Sequence, residues 1–249
     1  RPIAFVLGSD SDLPTLEGAF TALEELGVGF HVRVLSAHRT PDEACGFARD
    51  ARDNGIKVLI GVAGSNGKTT TKEMLASILS RRAPTLATAG NLNNHIGVPL
   101  TLLRLEPQHR HAVIEMGANH AGDVTELAGF AQPTIGLVTN AGAEHLEGFG
   151  SLEAAARAEG ELFAALPTDG VAVINADDPF AGMWREMTVA RIVTFGLGSK
   201  VDFSARDIHT ATDRQVFVTR FVMHTPQGMV DIELALAGKH NVINALGAA

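Results

Sequence analysis

Cysteine is almost absent: Cys45 is the one thiol in 249 residues. A lone cysteine excludes an intrachain disulfide and any multi-cysteine zinc cage, and it fits a reducing cytoplasm. No apolar run approaches the roughly 18 residues of a membrane span, so no membrane insertion is expected. The opening Arg1-Pro2-Ile3-Ala4-Phe5 enters an apolar stretch that stops at Gly8, too short for a secretory signal, and no initiator Met precedes it. Positive charge is in deficit, with 20 Lys and Arg against 28 Asp and Glu and a formal net charge of -8. That balance argues against nonspecific binding to nucleic acid or an anionic membrane, where clustered Lys and Arg supply the affinity. It leaves room for a local phosphate site. There is no internal repeat, low-complexity stretch or evident linker. What is present is apolar material, 45% of the residues. That suffices for a sizeable core in one large domain or two modest ones of about 100–150 residues each.

The apolar residues fall in short runs separated by helical patterns. Residues 2–7 are continuously apolar up to Gly8, as a buried parallel strand is. Asp12 can cap a helix with Pro14 in its first turn. Leu16, Ala19, Phe20, Leu23 and Leu26 then repeat at helical spacing until Gly27 stops the helix. A second strand is predicted over 30–35, a helix from Thr40-Pro41 to about Asn54-Gly55, and a third strand over 57–63. Further strands are predicted over 112–116, 135–139, 171–175 and 192–195, and helices over 98–105, 121–130, 152–166 and 180–187. This alternation predicts an α/β fold, a mostly parallel sheet with helices on both faces. Beyond residue 202 the pattern changes. Residues 216–223 and 230–236, separated by Pro226-Gln227-Gly228, predict an antiparallel hairpin within a small appendage over 202–236. A last helix begins near His240-Asn241.

The sharpest chemical signal is Gly64-Ser65-Asn66-Gly67-Lys68-Thr69-Thr70, between the third strand and a helix running to about Arg82. Phosphate binding needs backbone amides converging on an anion at the positive end of a helix. Glycines let the backbone approach, Lys68 can reach the outer phosphates, and the Thr69 hydroxyl can ligate magnesium. The spacing is shorter than Gly-x-x-x-x-Gly-Lys-[Ser/Thr]: Gly64 lies three residues before Gly67, and position 62 is Val. A plain strand-to-helix turn with a solvent lysine is the competing reading. The flanking strand and helix favour the phosphate loop.

The run Gly64-Ser-Asn-Gly-Lys-Thr-Thr-Thr-Lys-Glu-Met74 resembles the ATP loop of the Mur ligases. The resemblance continues through Ala89-Gly-Asn-Leu-Asn-Asn-His-Ile-Gly-Val-Pro-Leu-Thr-Leu-Leu103, Val113-Ile-Glu-Met-Gly-Ala-Asn-His-Ala-Gly-Asp123, Glu144-His-Leu-Glu-Gly-Phe-Gly150, Asn175-Ala-Asp177 and Gly238-Lys-His-Asn-Val-Ile-Asn-Ala245. It covers about residues 57–249 and is strongest to members that add D-alanyl-D-alanine to a UDP-muramoyl peptide. It implies ATP and Mg2+ as cofactors, a UDP-muramoyl peptide and D-alanyl-D-alanine as substrates, and an acyl-phosphate route to an amide in peptidoglycan precursor synthesis. Lys68, Glu115 and His145 match catalytic positions. Thr69 matches a ligand of one magnesium, and Glu115 and His145 match ligands of a second. Gly64, Ser65, Asn66, Gly67, Lys68, Thr69 and Thr70 match the nucleotide loop. Asn175, Asp177, Asn241 and Asn244 match positions around the nucleotide. Asn94 matches an asparagine near the phosphates, with Asn93 the alternative alignment.

One departure concerns metal. The family places a carbamylated lysine in the helix after the His145 loop. In Arg157-Ala-Glu-Gly-Glu-Leu-Phe163 the matching position is Glu159. Either this shorter carboxylate substitutes as a metal ligand, or metal binding is weakened.

The first sixty residues carry another pattern. Val6-Leu-Gly-Ser-Asp-Ser-Asp-Leu-Pro14 and Val34-Leu-Ser-Ala-His-Arg-Thr-Pro41 resemble the carboxyaminoimidazole ribonucleotide mutases of purine synthesis, which have a flavodoxin-like fold. Ser9, Asp10 and Asp12 match substrate-binding positions, and Ser36, His38 and Arg39 match the catalytic loop. By this resemblance His38 would carry the proton and Arg39 would hold the ribonucleotide phosphate. The competing reading of residues 36–40 is a helix-capping loop. Residues 57–64 serve as the third strand of one pattern or the first strand of the other. The expectation is therefore a chimera of segments 1–60 and 61–249 joined in one continuous sheet. The expected function is Mg-ATP binding of the Mur-ligase type, without ligation because flanking family domains are missing. The alternatives are a nucleotide-binding structural chimera and a mutase.

Overall fold

The computed structural model describes residues 3–7, 13–28, 30–34, 58–143, 146–198, 200–213 and 216–249. At the amino end, β1 (Ile3–Leu7) and β2 (Phe30–Val34) pair in parallel, with Ile3 opposite Phe30 and Leu7 opposite Val34. Helix α1 (Leu13–Glu25) connects them. It ends as its sequence predicts: Gly27 takes φ +65°, and Val28 N donates back to Leu23 O at 2.9 Å. Glycine makes that left-handed stop without strain.

The main sheet has six strands: β3 (Val58–Ala63), β4 (Thr85–Ala87), β5 (His111–Glu115), β6 (Ile135–Val138), β7 (Val171–Asn175) and β8 (Arg191–Phe195). Their order is β4-β5-β3-β6-β7-β8, and every pairing is parallel. The connecting helices are α2 (Lys68–Ser80), α3 (Gly97–Leu102), α4 (Asp123–Ala131), α5 (Leu146–Phe149), α6 (Leu152–Ala164) and α7 (Ala181–Glu186). Alternate residues of β3 serve opposite cores. Leu59 and Ala63 join the cluster that holds Leu162, Phe163 and Trp184, whereas Ile60 and Val62 pack with Leu75 and Ala248. Burial on both faces explains why this strand reads as continuously apolar rather than alternating.

A separate three-stranded antiparallel sheet has the order β11-β10-β9, from β9 (Ser204–Asp213), β10 (Val216–Thr225) and β11 (Gly228–Leu234). The predicted hairpin is β10–β11. Its turn is tighter than expected, because Thr225 already pairs with Gly228 and leaves two residues between them. Strands β4 and β9 and the short α5 were not anticipated. Strand β4 has three residues, and β9 is mostly polar, so neither carries a hydrophobic period. Helix α8 (Lys239–Ala248) returns the chain to the main sheet beside α2.

Among the described residues, β1–β2 and the six strands from β3 to β8 form separate sheets. Strand β3 is interior: β5 occupies one edge, from Val58 opposite His111 to Val62 opposite Glu115, and β6 occupies the other. No edge of β3 is left to accept β1 or β2, which form their own pair. The central place of β3 also sets the position of the site. The chain moves to one side of β3 through β4 and β5 and to the other through β6, β7 and β8. In open parallel sheets, ligands bind beyond the carboxyl ends of strands at such a reversal.

Candidate functional site

The loop at that reversal, residues 64–67, is shaped by two glycines. Gly64 has φ +117° and Gly67 has φ +84°. A Cβ at Gly64 would collide with the Thr139 hydroxyl, and one at Gly67 with the Asn244 side-chain oxygen. Both positions therefore need glycine for conformation and for space.

The loop's first three amides are already committed. Gly64 N donates to Glu159 Oε2 at 2.7 Å, Ser65 N to Asn140 O at 2.9 Å, and Asn66 N to Asn140 Oδ1 at 3.1 Å. The amides that remain for an anion belong to residues 67–70. Three of them open α2, whose first turn has no side-chain cap. Uncapped amides at a helix start carry its partial positive charge. Lys68 Nζ folds over the loop and donates to Gly64 O at 2.6 Å and Ser65 O at 2.8 Å. Its ammonium thus stands at the mouth of the amide cradle.

Glu115 ends β5 next to this helix start and is 1% exposed. Its Oε1 accepts from Asn93 Nδ2 at 2.8 Å and from Thr69 Oγ1 at 3.2 Å. Its Oε2 is buried and has no hydrogen-bond partner. A carboxylate oxygen without a hydrogen-bond partner, close to a threonine hydroxyl and an uncapped helix start, suits Mg2+, which binds through few carboxylates together with substrate phosphates. Among the described residues, no three of His, Cys, Asp and Glu gather as a metal cluster.

The predicted residues sort into distinct places. Thr69 and Glu115 come together. Glu159, 3% exposed on α6, lies at the opposite end of the loop on the Gly64 amide. Asn94 Oδ1 accepts from Ile96 N and Gly97 N and caps α3, so Asn93 is the asparagine at the carboxylate. Asn175 Nδ2 donates to Thr139 O at 2.8 Å, and Asp177 Oδ2 accepts from Leu197 N at 2.5 Å. These two tie together the ends of β6, β7 and β8. Asn244 packs on Gly67 and donates to Asn241 Oδ1 at 3.4 Å, while Asn241 Nδ2 bonds Ala237 O at 2.7 Å. His145 and the residues matched to the mutases, Ser9, Asp10, Asp12, Ser36, His38 and Arg39, lie outside the described residues.

Sequence reasoning missed the segment after β6. Thr139 Oγ1 and Asn140 Nδ2 both donate to Asn66 O, at 2.6 and 2.8 Å. Gly142 N donates to Ser65 Oγ at 2.7 Å, and Ala141 N to Asp178 Oδ2 at 2.8 Å. A Thr-Asn pair directly after an apolar strand is the available signal. It becomes specific only when β6 is known to lie beside β3.

Comparison with known proteins agrees with this geometry. The family described as Mur ligase middle domain matches residues 62–249, and AIR carboxylase matches residues 2–82. The two matches overlap over residues 62–82, which hold the last two residues of β3, the glycine loop and all of α2. The UDP-N-acetylmuramoyl-tripeptide--D-alanyl-D-alanine ligase of Escherichia coli is 47% identical over 193 residues, which are 77% of this chain and 42% of that protein. The Bacillus subtilis enzyme of the same name is 35% identical over 76% of this chain and 40% of its own length. The chain thus spans about two fifths of these curated relatives. A crystal structure of MurF from Acinetobacter baumannii aligns with a TM-score of 0.79 at 35% identity, over 98% of this chain and 55% of that one. With 188 of its residues, from 62 to 249, matched to the middle domain, this chain belongs to the Mur ligase family.

Proposed function

We propose that the chain is the Mg-ATP-binding core of a peptidoglycan-precursor ligase that joins D-alanyl-D-alanine to a UDP-muramoyl peptide. The observation that carries the reading is the loop after β3. Its amides at 67–70 remain available, Lys68 stands over them, and Thr69 meets the half-satisfied Glu115 beside them. The substrates are those in the relatives' names.

In the reaction, ATP phosphorylates the peptide carboxylate and releases ADP. The amine then attacks the acyl carbon, phosphate leaves, and an amide forms. The amides at 67–70 would hold the nucleotide's phosphates, and Lys68 would leave the Gly64 and Ser65 carbonyls for the outer phosphate oxygens. Thr69 and Glu115 would hold Mg2+, which when bound offsets phosphate charge. His145 keeps the metal-ligand role implied by resemblance, and Glu159 fixes the loop through the Gly64 amide. The reading implies a cytoplasmic protein.

The test compares wild type with Lys68→Ala. Calorimetry with ADP and Mg2+ should show binding that the variant loses by about tenfold or more, the worth of a charge-assisted hydrogen bond. Circular dichroism should be unchanged. Equal affinities would remove the assignment. Phosphate release dependent on both UDP-muramoyl-tripeptide and D-alanyl-D-alanine, with the pentapeptide product seen by mass spectrometry, tests the substrates. A second reading, ribonucleotide binding through residues 9–39, has the match over residues 2–82 behind it. Binding of an aminoimidazole ribonucleotide would support it.

A further inference from the structure

Lys72 lies one helical turn after Lys68 and is completely buried. The phosphate chemistry above does not use it. Its ammonium has three protons and three close acceptors: Thr88 O at 2.8 Å, Gly90 O at 3.1 Å and Glu73 Oε1 at 2.8 Å. A fourth neighbour, Glu115 Oε2, is 3.8 Å away, beyond hydrogen-bond reach. The lysine's protons are therefore committed elsewhere, and this is the same oxygen that is buried without a partner.

The other contacts of Glu115 converge on the segment that Lys72 fastens. Glu115 N donates to Thr88 Oγ1 at 3.0 Å, and Oε1 accepts from Asn93 and Thr69. Asn93 lies three residues after Gly90, and Thr69 lies on the helix of Lys72 itself. Charge is balanced as well. An isolated ammonium this near would repel a divalent cation, but Glu73 pairs with it directly. The triad Glu73, Lys72 and Glu115 is left with the charge of one carboxylate.

We propose that Lys72 is a positioning residue for the magnesium–nucleotide. It ties the turn carrying Asn93 to the helix carrying Thr69, so that Glu115 is gripped through Oε1 and presents Oε2 unbonded to the cation. The proposal rests on the Mg-ATP reading above.

Calorimetry measures ADP affinity with and without Mg2+ for wild type, Lys72→Met and Glu73→Ala. Methionine removes the ammonium at similar volume. The Mg2+-dependent gain in affinity should fall by about tenfold or more in Lys72→Met, the worth of a hydrogen bond to a charged group. The Mg2+-free affinity, supplied by the amides of 67–70 and by Lys68, should hold. A packing defect in α2 would lower both together, because α2 carries Lys68, and that result overturns the proposal. So does an unchanged gain, or a larger one, which would mean that the ammonium opposes the cation. Glu73→Ala covers a Lys72→Met chain that does not fold, since Glu73 is 63% exposed. It frees one ammonium proton, which turns to Glu115 Oε2 and occupies it. The gain should fall severalfold, and an unchanged gain counts against the proposal.

A crystal structure of Lys72→Met gives a reading that needs no nucleotide. Glu115 Oε1 should leave Thr69 Oγ1, now 3.2 Å away. A carboxylate still in place overturns the proposal whether or not ADP binds. Failure of wild type to bind ADP, with Glu115 displaced in the variant, sinks the Mg-ATP reading instead.

Discussion

Replacing Glu159 with alanine removes the acceptor that holds the start of the glycine loop after β3. Gly64 N donates to Glu159 Oε2 over 2.7 Å, and the side chain is 3% exposed. A hydrogen bond to a charged partner contributes about 1.5–3 kcal/mol, and the truncation also leaves a buried amide unpaired and a void in α6's packing. Together these give a cost of about 2–4 kcal/mol for Glu159→Ala. Glu159→Gln keeps an oxygen acceptor and loses only the charge, so about 1 kcal/mol is expected. At roughly 2–4 °C per kcal/mol for a chain of this size, the alanine variant should melt on the order of 10 °C lower and the glutamine variant about 2–4 °C lower. Thermal unfolding followed by circular dichroism reads both, and ADP titrations with and without Mg2+ accompany it. An alanine variant that melts with wild type would refute the reasoning, because the bond would then support nothing. A glutamine variant with unchanged melting but no Mg2+ dependence would assign the carboxylate to the metal rather than to the loop.

Two further outcomes follow from the geometry. Asn93→Ala should weaken the Mg2+-dependent gain in ADP affinity by about tenfold, since Glu115 Oε1 loses its 2.8 Å donor; Asn94→Ala should instead read in stability, at about 1 kcal/mol by chemical denaturation, as loss of a helix cap. Asp202 accepts from Thr194 N and Thr194 Oγ1, both at 2.8 Å; these bonds hold its carboxyl below the ordinary 3.8 against the opposing effect of burial, with lesser help from Arg185 and Arg191. Its folded value is depressed, so its contribution is present above the unfolded value and lost as pH falls through the lower folded one. Denaturant unfolding between about pH 6 and pH 2 should show Asp202→Asn losing part of that acid-side slope, and an identical slope would contradict the assignment.

Several parts of this protein could be read before folding because their physics is local. A continuously apolar strand, Gly64, Gly67, Lys68 and Thr69 at fixed offsets, and an amphipathic helix define a strand–glycine loop–helix unit without reference to the rest of the chain. The left-handed turns at Gly64 and Gly67 and the stop at Gly27 follow from glycine's missing Cβ. The strand–helix alternation announced a parallel sheet, since both periods are written within a dozen residues.

Other features depend on which strands become neighbours. Asn93 and Asn94 are indistinguishable by type and place in the chain; one meets Glu115 and the other caps α3 because β5 ends beside their turn. Asn140 lies 74 residues from Asn66, yet the two bond reciprocally because β6 pairs with β3. Lys72 looks like a solvent lysine in its motif and is buried under the 88–90 segment once β4 and β5 are laid down. The neighbours of β3 were hidden for the same reason: an apolar run can announce a strand, but the number of free edges is set by the strands that arrive from elsewhere in the chain, and both edges of β3 are filled by β5 and β6.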